Sequence, residues 1–372
     1  GIDIYIIPTS DYHQSEYVGE YFGARKYMSG FTGSAGTLIV GLDEARLWVD
    51  GRYHIQAEKQ TANTGITLMK MGLAGVDTIN EYLEKNADKT VGFDGRVMSY
   101  QEVLNMKNKV ISNVDLVNEI WHDRPSISHE PAFIYDEKYC GESRGSKLQR
   151  LRKAMKDCNH HIITSLDDIV WLFNIRGNDV PCNPVVLSYA LINQEDAYLY
   201  VQDGVIDAKI EAILKRDSIY IKNYNDIYDD VEKLTGKVLL DKQIVSYEIC
   251  RRLNCEIVNG PNPTQLFKAI KNKTEIEATK YAHIKDGVAV TKFMYWLKTN
   301  VGKIPMDEVS ISDKLEEFRK AQKDFYDLSF DTICAYKENA ALMHYKAEPG
   351  KCATVTNEGL LLIDSGGQYF DG

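Results

Sequence analysis

Along the first third of the chain, short apolar and β-branched runs alternate with longer stretches of helical spacing. Ile2 to Ile7, Thr37 to Val40, Arg46 to Val49, Ile66 to Met71 and Thr90 to Phe93 predict strands. Tyr53 to Gln60, Thr78 to Lys85 and Tyr100 to Lys109 predict helices. The last opens on Ser99-x-x-Glu102, a capping box that satisfies two orphan helix donors. This alternation predicts an α/β fold on one sheet. It ends near Trp121, where Pro125 and Pro131 bracket a polar connection that suits a domain boundary.

A second α/β segment follows. Ser146 to Cys158 reads as a helix with Leu148, Leu151 and Met155 on one face, and His161 to Thr164 as a strand. Asp167-Asp168 open the next helix, where the positive dipole end favours acids. Tyr189 to Asn193, Ala197 to Val201, Ile219 to Ile221 and Val238 to Leu240 predict further strands. Asp50-Gly51-Arg52 recurs as Asp94-Gly95-Arg96, a match too short to establish an internal repeat.

Beyond Pro261-Asn262-Pro263 the texture changes. Thr274 to Thr299 and Ser312 to Phe325 predict amphipathic helices, followed by strands at Thr332 to Ala335, Leu342 to Tyr345 and Leu360 to Ile363. Gly359 to Ile363 reads as a buried strand that delivers Asp364 into a Ser-Gly-Gly turn. A buried carboxylate needs a cation, hydrogen-bond donors or water, because an unpaired buried charge is strongly unfavourable. The plainer alternative is an acid capping the turn. The strands run out at Gly372, so the third domain is expected to be begun here and completed elsewhere. The expected division is 1–123, 124–264 and 265–372.

Composition narrows the partners. Hydrophobic residues make up 44% and charged ones 26%, the balance of an ordinary globular protein. A formal net charge of −10 argues against nucleic acid, which is held by clustered Lys and Arg. The densest basic stretch, Lys268 to Lys273, reads as the solvated start of a helix. Seven cysteines without a C-x-x-C pair predict neither a disulfide framework nor a zinc site, but free thiols in a reducing cytosol. No apolar run approaches the ~18 residues of a membrane span. No signal peptide is visible, although the sequence begins at Gly1 and not at Met.

Four segments carry the candidate chemistry. They are Ser29 to Thr37 with Leu47-Trp48-Val49-Asp50-Gly51-Arg52-Tyr53; Leu166 to Gly177 with Asn183-Pro184-Val185; Lys268 to Asn272 with Glu275; and Ser329 to Ile333 with His344-Tyr345 and Asp364 to Tyr369. In this order and spacing they resemble the aminopeptidase P family of Xaa-Pro aminopeptidases, in its three-domain cytosolic form. The resemblance implies two related creatinase-N-like α/β domains, then the beginning of an α+β pita-bread catalytic domain. It implies a cytoplasmic homodimer that removes the N-terminal residue from peptides with proline in second position. It also implies a dinuclear site, usually manganese.

On this resemblance Asp364 matches the first metal ligand, and the remaining ligands lie beyond Gly372. His344 matches the residue that contacts substrate near the scissile carbonyl, where an imidazole donates to a developing oxyanion. Arg52 matches an arginine that reaches the bound peptide, and its fork suits a carboxylate or carbonyl. Two divalent ions need several carboxylates to balance their charge. With Asp364 alone, this segment is expected to bind no metal pair and to be inactive. The alternative is a non-catalytic pita-bread module that binds peptide or protein.

Overall fold

The strand-forming runs of the first third assemble into one sheet. The computed structural model describes residues Gly1–Gly372. Its strands begin with β1 (Ile4–Pro8), β2 (Thr37–Gly41), β3 (Ala45–Val49), β4 (Ile66–Lys70), β5 (Thr90–Gly92) and β6 (Lys109–Ile111). They lie in the order β4-β3-β2-β1-β5-β6. β2 is antiparallel to both neighbours, and the other pairs are parallel. Phe31, Leu47, Trp48 and Tyr53 are wholly buried around it.

β7 (Phe133–Ile134), β8 (His160–Ile163), β9 (Ile175–Arg176), β10 (Ser188–Asn193), β11 (Ala197–Val201), β12 (Ile219–Asn223), β13 (Lys237–Leu240) and β14 (Glu256–Asn259) follow. Six of them form a second sheet in the order β12-β11-β10-β8-β13-β14, while β7 and β9 make a small ribbon. Here β10 is antiparallel to both neighbours and the other pairs are parallel. The two sheets therefore share one topology.

The Asp-Gly-Arg tripeptide does not disclose that duplication. A truer trace is Asp94 to Tyr100 after β5 against Asp241 to Tyr247 after β13: both open on Asp and close on Ser-Tyr. Ser99 and Ser246 form an antiparallel bridge. The Tyr100 N–H donates to the Val245 carbonyl at 3.0 Å, and the Tyr247 N–H to the Met98 carbonyl at 2.8 Å. Gln101 N–H reaches the Lys242 carbonyl at 2.8 Å, and Glu248 N–H the Gly95 carbonyl at 2.9 Å. Equivalent positions exchange bonds, so the repeats meet about a local twofold axis, as in an isologous interface.

Several expectations need correction. The helix expected to run from Tyr100 to Lys109 ends at Leu104, and Lys109 begins β6. The Asn108 side chain donates to the Asn86 carbonyl at 2.8 Å, which turns the chain so that Val110 and Ile111 extend the sheet beside β5. The helix expected over Ser146 to Cys158 spans Arg144–Ala154, with Leu148 and Leu151 buried and Met155 just past its end. Of the basic stretch Lys268 to Lys273, Lys268 lies in the last turn of the helix Pro263–Ala269 and pairs with Asp167 and Asp168, whereas Lys271 and Lys273 are exposed at the start of the next helix, as expected. All seven cysteines are free. No helix is long and apolar enough to cross a membrane.

Residues 1–135, 142–180 and 184–270 form one compact unit. Within it His13 ties the two repeats together. Its Nδ1 lies 2.9 Å from the Thr164 carbonyl, and its Nε2 lies 2.6 Å from the Tyr224 hydroxyl. The carbonyl only accepts, so Nδ1–H donates; burial favours the neutral ring, in which Nε2 accepts from Tyr224. Burial lowers its pKa, opposed by Asp11 and the Thr164 carbonyl. Such a group stabilises fully above its unfolded value of about 6.5, and that stability is lost as pH falls below it. Thermal melts from about pH 7 to about pH 5 are expected to show a smaller pH-linked loss in His13→Gln than in the parent. Parallel curves for the two proteins would refute this.

The second unit comprises residues 136–141, 181–183 and 271–372. Its long helix spans Lys273–Asn300 and starts at a capping box between Asn272 and Glu275. The next helix is Glu308–Lys320, not Ser312 to Phe325, because Asp307 caps it and Phe325 belongs to a strand. β15 (Phe325–Leu328), β16 (Ile333–Tyr336), β17 (Leu361–Asp364) and β18 (Gly367–Tyr369) form two antiparallel ribbons, β15 with β18 and β16 with β17. The strand expected at Leu342 to Tyr345 is absent; a 3-10 turn over Lys337–Ala341 and a tight turn occupy that region. The run Leu360 to Ile363 is not buried as expected: Leu360, just before β17, is 82% exposed and Leu362 within it 42%, because β17 pairs only with β16.

Candidate active site

Asp364 ends β17 opposite Ile333, and its side chain is exposed. The charge is therefore solvated, and the buried-carboxylate argument does not apply to it here. Ser365 and Gly366 then lead into β18, where the Gly366 carbonyl accepts from the Ser329 N–H at 3.1 Å. An added Cβ at Gly366 would lie 2.7 Å from the Ser329 hydroxyl, so this close crossing requires glycine.

His344 lies in the connection between β16 and β17 and is exposed. Its φ of 55° places it in the left-handed region, uncommon for residues other than glycine. The neighbouring Tyr345 hydroxyl donates to Glu308 at 2.7 Å. Lys346 pairs with Asp331, just before β16. The connection thus folds back along the ribbon toward the end that carries Asp364. The structure places His344 and Asp364 on one ribbon, with one in its connection and the other at a strand end.

Arg52 belongs to the first unit. Its Nε and Nη2 donate to the two Asp50 carboxylate oxygens at 2.9 and 2.8 Å, and its N–H also meets Asp50 at 3.0 Å. Asp50 raises the Arg52 pKa above the ordinary value, so the fork stays charged. Arg96 repeats this arrangement on Asp94, with bonds of 3.0, 2.9 and 2.8 Å. Asp-Gly-Arg is therefore a local pairing motif wherever it falls. Arg52 differs in exposure, its side chain being 49% exposed against 31% for Arg96.

The polar cluster after β8 is structural. Asp168 is buried and accepts from Ser165 and from the Asn262 amide. Trp171 is buried under the Lys147 ammonium, 4.0 Å from its ring. Arg176 donates to the Val170 and Ile175 carbonyls. His161 is buried between the Leu239 carbonyl and Asn262, whereas His160 is half-buried. Because the helix was expected to begin only at Ser312, sequence reasoning passed over Glu308. Its complete burial has no local sequence signal.

Residues 1–124 and 123–275 each match a creatinase/prolidase N-terminal domain, and residues 277–372 match the metallopeptidase family M24. The chain is 37% identical to a probable Xaa-Pro aminopeptidase P of Botryotinia fuckeliana, over 100% of its own length and 61% of that protein. It is 36% identical to aminopeptidase P2 of Arabidopsis thaliana, over 100% of its length and 59% of that protein. Its fold matches X-prolyl aminopeptidase of Caenorhabditis elegans, a cytosolic enzyme with a di-nuclear active site. That match has a TM-score of 0.93 and 29% identity, and covers 100% of this chain and 64% of that one. The chain thus spans about three fifths of the length of these relatives.

The residues of this chain do not by themselves fit a metal pair. No group of three or more His, Cys, Asp and Glu side chains converges where an ion could sit. One exposed carboxylate at Asp364 cannot balance two divalent ions. Two matches to creatinase/prolidase N-terminal domains, followed by a match to M24 metallopeptidase sequence, thus make this chain similar over its whole length to part of the Xaa-Pro aminopeptidases.

Proposed function

We propose that the protein to which this chain belongs is a metal-dependent aminopeptidase. It releases the N-terminal residue from peptides with proline in second position, acts as a cytoplasmic homodimer and uses manganese. The observation that carries the reading is the full-length similarity to Xaa-Pro aminopeptidases, extending through residues 277–372, where His344 and Asp364 share one ribbon. We also keep the three-domain division at 123/124 and 264/265 as part of the proposal.

Each residue has a role in that reading. His344 donates a hydrogen bond to the carbonyl oxygen of the scissile peptide as negative charge develops there. Arg52 is a candidate substrate contact through its guanidinium N–H groups, and Asp50 keeps the fork oriented. Asp364 supplies one carboxylate to the metal site, and the bound metals supply Lewis acidity.

The chain extended to the length of its relatives, assayed on Xaa-Pro peptides with added Mn²⁺, is expected to turn over substrate. The 372-residue chain beside it is expected to show none. Comparable turnover by both would overturn the assignment of the missing ligands to the extension. Peptide binding without turnover by the extended chain would instead favour the non-catalytic module.

A further inference from the structure

One buried acid gathers the segment that carries His344. Glu308 opens the helix Glu308–Lys320 and is fully buried. Its Oε1 accepts from the Tyr336 N–H at 2.6 Å and from the Asn339 amide at 3.0 Å. Its Oε2 accepts from the Tyr345 hydroxyl at 2.7 Å and from the Ala353 N–H at 2.9 Å. These donors run from the last residue of β16 to Ala353, so one carboxylate fastens the connection at both ends and beside His344. The Glu308 N–H returns a bond to the Ala353 carbonyl at 3.2 Å.

The fastened segment needs an anchor. Lys337 and His344 both hold left-handed backbone, with φ of 51° and 55°. Such positions persist in residues other than glycine when the surroundings over-determine them, and they gather at functional sites. A carboxylate suits the task because it only accepts, and here it meets only donors. Burial opposes its charge, but the bonds from Ala353, Asn339, Tyr345 and Tyr336 prevail and hold its pKa below the usual range. Burial, and then Glu308 itself, raises the Tyr345 hydroxyl, which therefore stays a donor. An amide at 308 would turn its NH₂ toward donors and break the pattern.

We propose that Glu308 is a positioning residue for His344: it fixes the loop 336–353 so that the imidazole is presented in one orientation. This rests on the reading of His344 as a substrate contact. The test joins hydrogen exchange on this chain with kinetics on the chain extended to its relatives' length. Glu308→Gln is expected to speed amide exchange across residues 337–353 by roughly 10–100-fold, the factor that follows loss of charge-assisted hydrogen bonds, and to leave the helix Lys273–Asn300 unchanged.

In the extended chain kcat should fall by a similar factor, with KM changed by less than about twofold. Tyr345→Phe removes one donor while the carboxylate remains, and should shift both readings the same way by less. If Glu308→Gln unfolds the second unit, Tyr345→Phe decides by the same measurements. Unchanged loop exchange overturns the proposal. So does a loosened loop with undiminished kcat while His344→Ala lowers it. Should His344→Ala itself leave kcat intact, the reading of the site fails, and loop exchange alone still decides whether Glu308 holds His344.

Discussion

Asp371→Ala is expected to lower the stability of the second unit by about 3–5 kcal/mol, the range for stranding one member of a buried ion pair. The Lys285 ammonium is 6% exposed and donates to the two Asp371 oxygens at 2.6 and 2.8 Å and to the Lys323 carbonyl at 2.9 Å. The Asp371 side chain is only 10% exposed. The Asp324 carboxylate, 4.0 Å away, and the Tyr281 and Tyr369 rings complete the surroundings. Without Asp371, the buried ammonium keeps only one carbonyl and a distant acid.

The pair joins the long helix to the strand region around β18, so its loss is expected to accelerate exchange in Lys273–Asn300. Urea unfolding followed by hydrogen exchange resolved to that helix measures the change without assuming that both units unfold together. Replacing both partners, Lys285→Met with Asp371→Leu, leaves neither member of the buried pair stranded, with only the more exposed Asp324 carboxylate remaining, and should cost much less than either single change. Equal losses in the single and double variants would show that packing, not charge, sets the stability here.

How much of this was legible in the sequence depends on how local the cause is. The boxes at Ser99–Glu102 and Asn272–Glu275 set helix starts that a short window discloses or could disclose. Strands dense in β-branched or aromatic and aliphatic residues, such as Thr37 to Val40 and Ala197 to Val201, declared themselves. β6 and β14 did not, because three- and four-residue edge strands are made by the neighbour they pair with. Apart from the family resemblance, which implies two related domains, the duplicated topology was hidden for a similar reason: what the halves share is strand order, and the Ser-Tyr positions that touch across the twofold are far apart in sequence.

The site divides the same way. Asp364 drew notice from its place at the end of an apolar run, but its role, like His344 and Arg52 altogether, could be singled out only through a family resemblance. Arg52 and Arg96 look alike in sequence, and they also look alike in hydrogen bonding. A turn where a strand was expected, and an exposed strand where a buried one was expected, both follow from tertiary pairing. The apolar run Leu360 to Ile363 has a single partner strand, and Leu342 to Tyr345 is drawn out of any sheet by the Tyr345–Glu308 bond.

In the chain extended to its relatives' length, His344→Ala is expected to lower kcat by about 10²–10³, as removal of one oxyanion donor does, while KM moves little. The imidazole acts in this reading only as charge develops on the carbonyl oxygen, so the loss belongs to the transition state. The backbone makes the claim separable from folding. At a φ of 55°, glycine is at ease where histidine is strained. His344→Gly should therefore keep or raise the melting temperature while losing as much kcat as the alanine variant. His344→Asn, which tolerates the left-handed region and retains an N–H donor, should recover part of the rate. If glycine and alanine variants keep parental kcat, His344 is a turn residue only. If asparagine recovers nothing while glycine is stable, the imidazole does more than donate one hydrogen bond, and the pH dependence of kcat should then shift in His344→Asn.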